Sequence, residues 1–130
     1  MKTDDSKPRP RRVAATDLFD PGKTSGVTRL QAFAEGAVWV GALINEPHEM
    51  SKWHSHPGHE TYAYVVEGNM RIEFGPGGSE FVELGPGDFA YVPRDTIHRE
   101  GNSGHTVSKG VIVRIGEGPV VVDAEGPEVG

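Results

Sequence analysis

Six histidines are the side chains of this 130-residue chain with the most to offer chemically: His48, His54, His56, His59, His98 and His105. Three of them crowd into the run WHSHPGHE, residues 53–60. In an extended strand the side chains at i and i+2 emerge on one face, so His54 and His56 present two imidazoles side by side, with Ser55 behind them. Two neutral imidazoles with a carboxylate a few residues on, here Glu60, are a common way to hold a divalent cation with coordination positions left open. An HxH pair alone is a weak signal, because surface histidines are more often merely solvated. A second segment adds weight: GPGDFAYVPRDTIHREGN, residues 85–102, delivers His98 after a strand and a turn. Pro93 fixes the entry to that turn, and Asp95 falls where the turn wants a positive φ, which aspartate tolerates. The structural alternative for His98 is a partly buried, hydrogen-bonded histidine.

The elements that must position these side chains read as short strands. Runs rich in Val, Ile, Tyr and Phe predict strands at Val27–Ala34, Ala37–Ile44, Thr61–Glu67, Met70–Phe74, Glu80–Leu84, Phe89–Val92, Val107–Ile115 and Val120–Val122. Between them lie EG, EGN, GPGG, GPGD, PRD and GEGP, each suited to a tight turn. No window keeps apolar residues at i, i+3, i+4 and i+7 long enough for an ordinary helix. Short strands spaced by turns predict an antiparallel sandwich or barrel. Residues 1–12 carry five basic and two acidic side chains and no apolar run, so they are expected to be a flexible basic tail on a single domain spanning 13–130.

Composition removes several function classes. The formal net charge is −6, and an acidic surface repels phosphate backbones, which argues against nucleic acid. The absence of cysteine excludes disulfides, thiolate metal sites and a cysteine nucleophile, and fits the cytoplasm. No apolar run approaches the roughly 18 residues of a spanning helix, and Arg11–Arg12 lack the hydrophobic stretch of a secretory signal.

The two histidine segments resemble the paired motifs of the cupin superfamily. Its first motif runs glycine, five residues, HxH, three or four residues, Glu, six residues, Gly; here that gives His54, His56, Glu60 and, one place late, Gly68. Its second motif runs glycine, five residues, Pro, one residue, Gly, two residues, His, three residues, Asn; here that gives Gly87, Pro93, His98 and Asn102, with Asp95 for the internal glycine. The resemblance covers roughly residues 27–122 and implies an all-β, double-stranded β-helix or jelly-roll barrel like the small single-domain members. It also implies a mononuclear site of His54, His56, Glu60 and His98 for one divalent metal such as Fe, Mn, Ni, Zn or Cu. Two departures concern the first motif. His48 stands where its leading glycine belongs, and one extra residue separates Glu60 from Gly68. Either a bulge absorbs that residue and Glu60 reaches the metal, or His59 supplies the ligand, or three histidines are completed by water. Alternation leaves this open, because Tyr62/Tyr64 and Ala63/Val65 are both acceptable inward sets.

Around such a site Tyr62, Tyr64, Phe74, Phe89 and Tyr91 are candidates for a pocket wall, although core packing explains them as well. Trp53, beside the ligands, is placed to shape a mouth. Arg71, Arg99 and Arg114 are candidate partners of an anionic substrate or of surface acids. The expected function is a metal-dependent, dioxygenase- or isomerase-like enzyme acting on a small organic molecule. The alternative is a metal- or ligand-binding module without turnover; a phosphosugar isomerase would want more inward basic residues. Cupins of this kind are often dimers, so a homodimer is expected, with the strand near Val27–Ala34 pairing onto the partner's sheet.

Overall fold

The computed structural model describes residues 7–22, 27–117 and 122–128. The apolar runs become ten strands: β1 (Thr28–Glu35), β2 (Val38–Asn45), β3 (His54–Ser55), β4 (His59–Glu67), β5 (Met70–Phe74), β6 (Glu80–Leu84), β7 (Phe89–Val92), β8 (Arg99–Gly101), β9 (Ser108–Gly116) and β10 (Val122–Asp123). Helix among the described residues is limited to the short 3-10 turns Ala15–Asp17 and Pro76–Gly78. All strand pairs are antiparallel. They form a five-stranded sheet in the order β1-β2-β9-β4-β7, a three-stranded sheet β6-β5-β8 and the small pair β10-β3. Leu43, Ala63, Val65, Val92 and Ile112 from the first sheet share one core with Met70, Ile72 and Leu84 from the second. The expected all-β barrel is therefore present.

Two strands escaped the sequence reading, β3 and β8, and both carry functional side chains. Each is too short to show alternation; β3 pairs with β10 and β8 with β5, and the two histidine segments meet where His54 and His98 exchange backbone N–H···O bonds of 2.9 Å in both directions. The predicted strand Val120–Val122 begins outside the described residues, which resume with β10.

On β4 the pleat turns His59, Thr61, Ala63 and Val65 inward and leaves Glu60, Tyr62 and Tyr64 on the outer face. The residue extra to the motif is taken up by a bulge between Val65 and Glu67, just before Gly68. Gly68 sits at φ 76°, and a Cβ there would stand 2.6 Å from the Val107 carbonyl oxygen, so only glycine closes this turn. Asp95 does adopt positive φ (62°), as does His48 (63°), which accepts the left-handed conformation in place of the motif's glycine.

Residues 1–6 of the expected tail lie outside the described residues. Residues 7–12 are exposed, and Arg11 ion-pairs with Glu35 and lies over the Phe33 ring. β1 is an edge strand, but Phe19 bridges its free side at Gln31. Of the aromatic candidates for a pocket wall, Phe74 and Tyr91 line a cavity that reaches His98, and Tyr62 and Tyr64 do not. Tyr62, Phe89 and Tyr91 are exposed on the outer sheet face, where Tyr62 meets Tyr91 and Tyr64 meets Phe89. Among the described residues, no helix is long and apolar enough to cross a membrane.

Candidate metal centre

The interior is unusually polar. Among the described residues, ten buried apolar side chains stand alongside twelve buried polar ones, including three charged residues, Arg29, Glu100 and Arg114. Burying charge costs more than burying hydrocarbon of similar volume, so an interior of this kind is built for something other than stability.

The layout follows from one rung. His54 and His98 face each other across the β3–β8 junction, so their side chains share a face. His56, two residues beyond His54, and Glu100, two beyond His98, lie on that same face, on opposite sides of the rung. Ring centroids of His54 and His98 are 4.5 Å apart, those of His54 and His56 4.9 Å, and those of His56 and His98 5.2 Å. One ligating nitrogen from each of the three fits within 4.8 Å of the others, and all three residues are buried.

Two imidazoles are oriented by backbone carbonyls. His54 Nδ1 lies 2.8 Å from the Lys52 oxygen and His98 Nδ1 2.8 Å from the Thr96 oxygen. A carbonyl oxygen can only accept, so Nδ1 carries the proton and Nε2 turns its lone pair inward. A backbone acceptor behind a ligating histidine is how metal sites fix ring and tautomer. The donor set is nitrogen and oxygen throughout, which suits divalent transition metals. The cluster therefore fits a metal on its own chemistry.

Glu60 is not part of it. Its carboxylate lies on the outer face of β4, accepting from Arg94 at 3.0 Å and from the Tyr62 hydroxyl at 3.3 Å. The physical reason is strand alternation: the core takes Ala63 and Val65, so Thr61 turns inward and Glu60 outward. His59 is buried but serves elsewhere, its Nδ1 2.9 Å from the Pro57 oxygen, in a hollow shared with Trp39 and Gly116. Three of the four expected ligands thus come together.

The residues that sequence reasoning missed are Glu100 and Arg29. Glu100 Oε2 stands 2.9 Å from His98 Nε2 and 3.4 Å from His54 Nε2, while Arg29 binds its other oxygen. Burial alone would raise the Glu100 carboxyl, but the Arg29 charge and the two histidines hold it well below the usual range. Arg114 is 2% exposed and lies over the Trp39 ring. Burial, then the Arg29 charge, push its guanidinium down to about 9, still protonated at neutral pH. The i+2 rule that paired His54 with His56 also pairs His98 with Glu100, and would have found it. Nothing in the sequence singles out Arg29, because one basic residue in a strand looks solvated.

Two spaces adjoin the cluster. A recess of about 10 Å³ among His56, Thr61, His98, Glu100 and Arg114 has room for roughly one water-sized ligand. A second cavity, about 220 Å³, is walled by Ile72, Phe74, Val82, Tyr91, Val92 and Pro93 and ends on His98. Trp53 lines neither space; Arg99 stacks over it and pairs with Glu73, and Arg71 pairs with Glu73 and Glu83. Asn102 is a clamp, donating to the Asn45 and Thr106 carbonyls and accepting from the Gly104 N–H.

The sequence profile of the cupin domain matches residues 43–114, more than half of the chain. No curated protein matches by sequence. Among solved structures, an uncharacterized conserved protein with a double-stranded β-helix domain from Klebsiella pneumoniae is 20% identical, with TM-score 0.71, over 89% of this chain and 99% of its own. A mutant oxalate decarboxylase from Bacillus subtilis is also 20% identical, with TM-score 0.67, over 81% of this chain but 30% of its own. The CENP-C domain of Drosophila melanogaster is 19% identical, with TM-score 0.65, over 78% and 75%. At such identities the likeness is one of fold.

Proposed function

Because this chain belongs to the cupin family, we propose that its buried histidines form a metal centre that binds and transforms a small organic anion. The observation that carries the reading is the convergence of His54, His56 and His98 in a buried interior, with the Nδ1 atoms of His54 and His98 tied to carbonyls. A divalent ion held there supplies Lewis acidity toward an anionic or enolisable oxygen, in dioxygenase- or isomerase-like chemistry. The chain's own residues supply the rest. Arg114 lines the small recess with a buried Nε–H that no protein acceptor takes, suited to an oxyanion. Arg29 and Arg114 outweigh Glu100, leaving the interior cationic before any ion binds. The apolar cavity that ends on His98 suits the organic part of a small ligand.

A second reading, binding without turnover, is favoured by one feature. Among the described residues, neither space is lined by a carboxylate other than Glu100 or by a histidine outside the cluster, so a separate general base is lacking. We also read the chain as a cytoplasmic homodimer, supported by the absence of cysteine and by the exposed apolar outer face at Tyr62, Phe89, Tyr91, Val111 and Ile115.

The test loads the protein with Mn(II) and titrates it with small carboxylates, following the Mn(II) resonance and consumption of the acid. Oxalate heads the panel, because one structural neighbour is an oxalate decarboxylase whose Mn(II) centres are named. Saturable binding with consumption supports the enzyme; binding without consumption supports the module. No perturbation by any carboxylate in the panel overturns the anion reading.

A further inference from the structure

The motif glutamate, Glu60, points outward on β4, and the inward place beside it is held by Thr61, which has no charge to offer a cation. Among the described residues one carboxylate residue is nevertheless buried, Glu100, delivered from β8 on the other side of the site. Its Oε2 faces the Nε2 atoms of His98 and His54 at 2.9 and 3.4 Å. Donor atoms sharing one ion at about 2.1 Å stand roughly 3.0–3.4 Å apart, for octahedral and tetrahedral angles. These two separations match edges of such a polyhedron, and His56 offers its nitrogen within 4.8 Å of those of His54 and His98.

The electrons make the same point. With Nδ1–H of both histidines given to carbonyls, each Nε2 presents a lone pair, and a carboxylate oxygen has only lone pairs. Three lone-pair atoms this close repel one another unless a positive centre, a metal ion or a proton on Nε2, sits among them. Arg29 occupies Oε1, so a single oxygen of Glu100 is left for that centre, and the guanidinium holds the carboxylate at a fixed angle.

We propose that Glu100, and not Glu60 or His59, is the carboxylate ligand of the metal, so that the site is His54, His56, His98 and Glu100 with Arg29 as its positioning residue. This rests on the metal-centre reading above. It places the negative ligand on the same short segment as His98, in a His-x-Glu unit that mirrors the His-x-His unit across the rung. Thr61 then leaves the β4 side of the ion open, where the recess and Arg114 lie.

The experiment is calorimetric titration of the wild type, Glu100→Gln and Glu60→Gln with Zn(II) and Mn(II), with melting of each metal-free protein recorded beside it. The expected result is a loss of affinity of at least tenfold for Glu100→Gln and a change within about twofold for Glu60→Gln. Should Glu100→Gln fail to fold, a crystal structure of the Zn(II)-loaded wild type decides: Glu100 Oε2 within bonding distance of the ion supports the proposal, and Oε2 hydrogen-bonded only to histidine overturns it. A wild type that binds neither metal removes the metal centre itself. A wild type that binds, matched by a Glu100→Gln that binds equally well, removes only Glu100.

Discussion

Replacing Arg29 by methionine probes the electrostatics of the interior most sharply. The guanidinium is 3% exposed and its partner Glu100 5%, so neither charge is relieved by water. Removing one member of such a pair leaves the other buried and uncompensated, at a cost of about 3–5 kcal/mol. Domains of this size have total stabilities of about 5–15 kcal/mol, so the loss is a large fraction of the whole. With an unfolding entropy of about 2.1 cal/mol/K per residue, it corresponds to a fall in melting temperature of roughly 10–18 °C. The pH dependence has a definite sign. In the wild type, Glu100 is held below its ordinary value, so its stabilisation is present above the ordinary glutamate range and fades as pH falls toward the lowered value. In Arg29→Met the guanidinium no longer opposes burial, a proton becomes welcome, and the loss shrinks between pH 7 and pH 5. Calorimetric scans at both pH values, with and without Zn(II), measure this directly. A bound ion replaces the missing charge, so the metal-induced rise in melting temperature should be larger in the variant than in the wild type. A variant melting within about 3 °C of the wild type at pH 7 would refute the reasoning.

Two further outcomes are expected. Sedimentation at micromolar concentration should show a dimer, and Phe89→Glu, at the most exposed aromatic of the outer sheet face, should shift it to monomer; a monomeric wild type removes the dimer. Deleting residues 1–12 removes the exposed Arg11–Glu35 pair, worth less than about 1 kcal/mol, so melting should move by no more than a few degrees; a larger drop shows that the segment docks.

Much of the fold was legible because its longer strands alternate strongly and its turns are marked by glycine and proline. β5, β6 and β7 fall where the sequence places them. The site was legible as far as its histidines, whose i+2 spacing survives any ambiguity of register. Glu60 was misleading because β4 carries plausible inward residues in both phases, Tyr62/Tyr64 and Ala63/Val65. A pleat that slips by one residue exchanges the two faces completely. Only tertiary packing settled it, by turning the smaller Ala63 and Val65 against the core. β3 and β8 were invisible because strands of two or three residues have no period to read; they exist through pairing with β10 and β5, which are distant in sequence. Arg29 was unreadable for a related reason, and Arg114, though named as a candidate partner of an anion, could not be told from a surface residue: a buried arginine differs from a solvated one only in what surrounds it, and that arises from pairings distant in sequence.

The central claim is that His54, His56 and His98 hold a metal ion. Elemental analysis of anaerobically purified protein, before and after incubation with Mn(II), Fe(II), Ni(II) and Zn(II), tests it most directly, with His98→Ala prepared in parallel. The account predicts about one ion per wild-type chain, a rise in melting temperature on loading, and loss of most of both in the variant, whose remaining donors leave the shell incomplete. Substoichiometric metal and no thermal shift with any of the four ions would contradict it.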